Sequence, residues 1–248
     1  METSKIKPIR LGTSVIIFFG AALLFLVLER VVLPFLNAHE VSKPLMFLVM
    51  ASPHFIFFIS ALIGFRLEGH PFNWDSLMSR FRYKKIKGKK WFWTLLYVLV
   101  FVGLYLLVYT LAWPLVKIIH AWLPTTELLT EIMSDGETFV GHPLKGNWWL
   151  LGLFMIMYFF NVVGEEFLWR GFLFPKQEKT HGKYTWVVHG LLWTSFHLFA
   201  PYNAIMVLPG ALFMSFITQR IQNNTVFLIA HAVLNGIPVV MLIMGIIG

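Results

Sequence analysis

The chain has no cysteine in its 248 residues. That absence removes disulfide frameworks, thiolate zinc sites and cysteine nucleophiles, so any chemistry must come from His, Glu, Asp, Asn or Ser. Charge is scarce as well: 13% of the residues are Asp, Glu, Lys or Arg, against 58% hydrophobic and 17% aromatic. With a mean hydropathy of +0.72 the chain is too apolar for an ordinary soluble domain. It shows no repeat of fixed period, no low-complexity tract and no Pro/Gly/Ser-rich linker, so residues 1–248 read as a single integral membrane domain. No Ser sits in a G-x-S-x-G elbow and no H-E-x-x-H occurs, which disfavours a serine hydrolase and a zincin helix. The formal charge of +8 does not point to nucleic acid, because the basic residues border hydrophobic runs, where they set membrane orientation.

What the chain does have is long apolar runs. A bilayer core of ~30 Å needs ~20 helical residues, and such runs fall at roughly 11–29, 44–66, 91–113, 147–174, 184–201, 203–220 and 225–247. The expected fold is an all-α polytopic membrane protein of seven helices, or eight if the ambiguous segment 113–146 adds one, enclosing an intramembrane site. The first run has a basic head but exceeds a signal h-region and lacks a cleavage site, so it is expected to be retained. Of the 20 Lys and Arg, 16 lie in the N-terminal segment and in alternate connections, with eight between Arg66 and Lys90 alone. By the positive-inside rule those segments, the N-terminus included, face the cytoplasm of a plasma-membrane protein. In the second connection Trp74, Leu77, Met78 and Phe81 recur at helical spacing opposite basic residues, the pattern of a helix lying on an anionic membrane surface or of a plain topogenic anchor.

Ionisable and amide residues interrupt three of these runs. At 1.5 Å per residue from the basic end of each helix, Glu165 lies about 15 Å deep, His197 about 20 Å, His231 about 9 Å and Asn235 about 15 Å. Convergence of costly polar groups at one depth marks a site rather than scattered interhelical hydrogen bonds. Glu166 and Arg170 are four apart and share a face, as do His231 and Asn235, whereas Glu165 is rotated away by about 100°. One glutamate can thus be neutralised by the arginine while the other stays reactive. His189 and Trp193, on the same face as His197, read as packing or lining. Glu29 and Arg30 fall near the opposite interface, can snorkel and need no function. A carboxylate base, a neighbouring His and a His/Asn donor pair are the components for activating a water and stabilising an oxyanion.

These residues fall into three motifs. Glu165, Glu166 and Arg170 match E-E-x-x-x-R; Trp193 and His197 match F-x-x-x-H with Trp in place of Phe; His231 and Asn235 match H-x-x-x-N. In this order on three spans they resemble the CAAX-type intramembrane proteases and bacteriocin-processing enzymes, the CPBP or Abi family, with a motif-bearing core at about 147–248. The resemblance implies an endopeptidase cleaving a membrane-associated peptide or protein. In it Glu165 and His197 would activate water, His231 and Asn235 would form the oxyanion hole, and Glu166, Arg170 and Trp193 would support them. It favours catalysis without a cofactor, with zinc on Glu165, His197 and His231 as the alternative. A non-catalytic scaffold or immunity factor on the same fold, and a transporter or proton relay, remain the rival readings.

Overall fold

The computed structural model describes residues 6–122, 126–133 and 136–248. The chain is helical almost throughout. α1 (Leu11–Val27) continues through a π-helical turn, Leu28–Val32, into α2 (Leu33–Ala38). α3 (Lys43–Leu67) is followed by the short α4 (Trp74–Arg80) and then by α5 (Lys90–Trp122). The segment left ambiguous by hydropathy thus begins as an extension of the third span. Beyond it lie α6 (Glu127–Ile132) and a minimal antiparallel hairpin of β1 (Thr138–Phe139) and β2 (His142–Pro143). α7 (Trp148–Glu165) passes into a second π-helical stretch, Glu166–Leu173, and α8 (Phe174–His181). α9 (Thr185–Phe196), α10 (Pro201–Ile221), α11 (Thr225–Asn235) and α12 (Ile237–Ile247) complete the bundle.

Six helical stretches among the described residues are long and apolar enough to cross a membrane: Leu11–Ala38, Lys43–Leu67, Lys90–Leu115, Trp148–Phe199, Pro201–Ile221 and Thr225–Ile247. The protein is an all-α polytopic membrane protein. The difference from the seven or eight expected crossings lies in residues 184–201. There the chain has already turned at Gly182, whose φ of 54° is left-handed. α9 has only 12 residues, about 18 Å, and ends in a 3₁₀ turn at His197–Phe199 before α10 packs back along it. Hydropathy registers an apolar run; it does not register that α9 is only 12 residues long and joined to the helical stretch that begins at Trp148.

The second connection differs from the expected membrane-surface helix. α4 spans seven residues, and Leu77 and Phe81 are buried in the protein core with Phe65, Phe167 and Leu173. Arg80, 3% exposed, is held by both oxygens of Glu68 at 2.7 and 3.0 Å and donates to the carbonyls of Gly171 and Phe172. Lys176 Nζ reaches the same Glu68 at 2.8 Å. Asn224 Nδ2 donates to the carbonyls of Phe81 and Arg170. The connection is therefore docked on the π-helical stretch through Leu77 and Phe81, while Trp74 of the same face is exposed. These side chains also occupy the carbonyls of Arg170, Gly171 and Phe172, groups that the wider π turn would otherwise leave poorly paired in an apolar setting.

Candidate active site

Three helices meet where α7 ends. α3 carries a proline inside its span, Pro53, which has no N–H for the carbonyl of Val49. The Ser52 hydroxyl donates to that carbonyl at 2.7 Å, as freed backbone groups in an apolar environment require. The next residue is His54. Its own carbonyl lies against Gly164 of α7, so closely that a Cβ at 164 would collide with it. The missing side chain lets α3 approach and sets the His54 ring beside Glu165, Nε2 to Oε1, at 3.5 Å.

Glu165 and Glu166 then diverge as spacing suggested. Glu166 is fully buried, and its Oε1 lies 3.1 Å from Arg170 and 2.9 Å from His231 Nδ1. The Arg170 guanidinium stacks over the Trp193 ring at 4.3 Å and donates to the Met214 sulfur. The tryptophan that replaces the family's phenylalanine thus supplies a wide π-face to the cation. Glu165, 4% exposed, faces a cavity of about 650 Å³ lined also by His54, Asn161, His197, His231 and Asn235. Its Oε2 has no hydrogen-bond partner among the described residues.

Tautomers follow from the partners. His197 Nδ1 lies 2.9 Å from the carbonyl of Trp193, an acceptor only, so the proton is on Nδ1 and Nε2 keeps a lone pair. His231 Nδ1 faces a carboxylate, and its Nε2 accepts from Asn235 Nδ2 at 2.9 Å. The second Asn235 amide hydrogen goes to Asn161 Oδ1 at 2.7 Å. Both donors expected to form the oxyanion hole are therefore engaged within the protein at rest.

The structure brings Glu165, His197, His231, Asn235 and Trp193 to one cavity, with Glu166 and Arg170 behind it. His189 is elsewhere: buried, bonded to Gln177 Oε1 at 2.6 Å and flanked by the Phe18 and Phe174 rings, it packs. Two further polar residues at the cavity, His54 and Asn161, were absent from the expected set. The same depth count finds them, about 20 Å from Leu67 and about 21 Å from Pro175, and an S-P-H run inside an apolar span was the visible signal. Among the described residues no group of three His, Cys, Asp or Glu is arranged to hold a metal ion. Glu29, on the first π-helical turn, accepts from the backbone of Thr126 at 3.4 Å and pairs with Arg30, well away from this cluster in role.

The site is thus a carboxylate, imidazoles and amides around an internal cavity of an all-helical membrane protein. The particular segment is then identified by comparison: residues 147–237 carry a domain that matches the family of type II CAAX prenyl endopeptidases, Rce1-like, consistent with the CAAX-protease family expected from the motifs. No curated protein and no solved structure matches the chain. The match covers the segment that carries the three motifs and supports a protease of the CAAX type. It leaves α1 to α6, including His54, outside the matched segment.

Proposed function

We propose that the protein hydrolyses a peptide bond of a membrane-associated peptide or protein with water activated by Glu165 and His197. The observation that carries this reading is the Glu165 Oε2, without a partner among the described residues, in a cavity shared with His197, whose Nδ1 is held by the Trp193 carbonyl. Water held between the two loses a proton to Glu165 as its oxygen adds to the carbonyl carbon, and the carbonyl π electrons move to oxygen. Collapse of the tetrahedral adduct breaks the C–N bond, and Glu165 returns the proton to the leaving nitrogen. Asn235 stabilises the oxyanion by exchange: an amide hydrogen held at rest by His231 or Asn161 turns to the developing negative charge, a tightening of the kind catalytic hydrogen bonds undergo on substrate binding. Glu166 keeps His231 oriented, and Arg170 balances the charge of Glu166. No step is routed through a metal.

The cavity walls include Phe25, Phe101, Tyr105 and Phe199, which suit an apolar stretch of substrate lying in the plane of the site. The basic connections face the cytoplasm and the chain resides in the plasma membrane, as its charge distribution supports. The test is a comparison of membrane peptidomes from cells with the intact protein and with Glu165→Gln. Peptides that accumulate only with the intact protein support the protease. Identical peptidomes with an unchanged phenotype favour a scaffold on the same fold.

A further inference from the structure

The polar groups around Glu165 form one chain with an end outside the matched domain. Asn161, one turn before Glu165 on α7, donates one amide hydrogen to Glu165 Oε1 at 3.0 Å, while its Nδ2 also lies 3.0 Å from His54 Nε2. Its Oδ1 accepts from Asn235. All the hydrogen-bonding atoms of this amide are thereby used, and reversing it would face its oxygen with the carboxylate and its nitrogen with another amide nitrogen. An amide nitrogen is a donor only, so His54 Nε2 is the acceptor and the ring is neutral with its proton on Nδ1. That Nδ1 is buried without a hydrogen-bond partner among the described residues, an arrangement that costs free energy and is retained at functional sites.

Resting on the protease reading above, we propose that Asn161 and His54 are positioning residues. Asn161 fixes Glu165 Oε1 and Asn235 at once, tying the base to the oxyanion donor, and His54 adds a third partner that holds the Asn161 amide in place. Oε1 is then committed to Asn161, and Oε2 is the atom left for water. The Pro53 break in α3 and the close crossing at Gly164 serve this placement, since they set a neutral imidazole of α3 against α7.

The test has an arm that needs no activity. Histidine labelled with ¹⁵N in both ring nitrogens is incorporated into the full chain in detergent, and the His54 signals are assigned by their loss in His54→Gln. Wild type should show the Nδ1–H tautomer with a hydrogen-bonded Nε2, and Asn161→Ala should move that Nε2 toward the shift of a free lone pair. An Nε2–H tautomer, or a His54 spectrum indifferent to Asn161→Ala, overturns the proposal whether or not cleavage is found. The second arm uses a quenched-fluorescence library of apolar octapeptides in the same detergent. Asn161→Ala should lower kcat roughly 10- to 100-fold with KM changed by no more than about twofold. His54→Leu should lower kcat about fivefold, the worth of one hydrogen bond, and His54→Gln should restore it, because the glutamine oxygen reaches about where Nε2 lies. Equal kcat in His54→Leu and wild type, or a loss His54→Gln fails to rescue, counts against the positioning role. Cleavage that survives Glu165→Gln sinks the protease reading instead, and the nuclear magnetic resonance arm still decides whether the chain of contacts exists.

Discussion

The His54 carbonyl oxygen lies where Gly164 would carry a side chain, so α3 and α7 meet backbone to backbone one residue before Glu165. The atoms that a Cβ would meet are backbone and cannot rotate aside. Gly164→Ala should therefore cost about 1–3 kcal/mol of stability despite the better helix propensity of alanine. Thermal unfolding in detergent measures it, and an unchanged or raised melting temperature would show that the helices separate freely.

Glu165→Gln keeps the size and most of the hydrogen bonding of the side chain but cannot take a proton. Cleavage should all but vanish while the protein inserts and folds as before. Asn235→Ala leaves the base and removes an oxyanion donor, so the rate should fall about 100- to 1000-fold, or ~2.7–4 kcal/mol. A loss below tenfold in Asn235→Ala would move the oxyanion role to another group.

Glu166→Gln should act on the fold as well as on the rate. It strips the countercharge from Arg170, which is 1% exposed, and loosens the hold on His231. Breaking a buried pair from one side costs about 3–5 kcal/mol, so folded yield by gel filtration should drop with activity. The double variant Glu166→Gln with Arg170→Met should recover yield without recovering activity.

Glu68 gives the acid limb of stability. Burial alone would raise its carboxyl, but the hydrogen bonds from Arg80 and Lys176 outweigh it and hold the group below the ordinary value of 4.5. A carboxyl depressed in the folded state stabilises above the unfolded pKa, and that contribution is lost as pH falls through the folded one. Melting temperature should thus decline as pH drops below about 4.5. Glu68→Gln should flatten that decline and cost roughly 1–3 kcal/mol at neutral pH, between the surface and buried limits for an ion pair.

Water activation by Glu165 and His197 alone predicts that exhaustive chelation leaves cleavage intact and that purified protein holds no stoichiometric zinc. Loss with chelator and return with zinc would transfer these side chains to ligand roles.

Much of the site could be read from spacing. Glu166 with Arg170, and His231 with Asn235, are neighbours because four residues nearly complete a helical turn, and the structure pairs both. His54 and Asn161 escaped because a single His or Asn in an apolar run looks like an interhelical hydrogen bond, and only the meeting of α3 with α7 reveals a common partner. Leu77 and Phe81 illustrate another limit. Their period gives a buried face correctly, but no period distinguishes lipid from the protein's own core. For residues 184–201, hydropathy registers the apolar run but not that its helix, α9, has only 12 residues.

The docked connection also fixes an order of assembly. Glu68 can find Arg80 twelve positions later as soon as both are made, but the carbonyl of Phe81 waits for Asn224, 143 positions further along. At ~5–20 residues per second that wait is roughly 7–30 s, during which α1 to α5 stand without the floor they will share. The cavity can close only when nearly the whole chain has been synthesised, so a ribosome-bound or truncated chain lacking α11 is an inert precursor. Glu165 is synthesised well before His231 and Asn235 can join it.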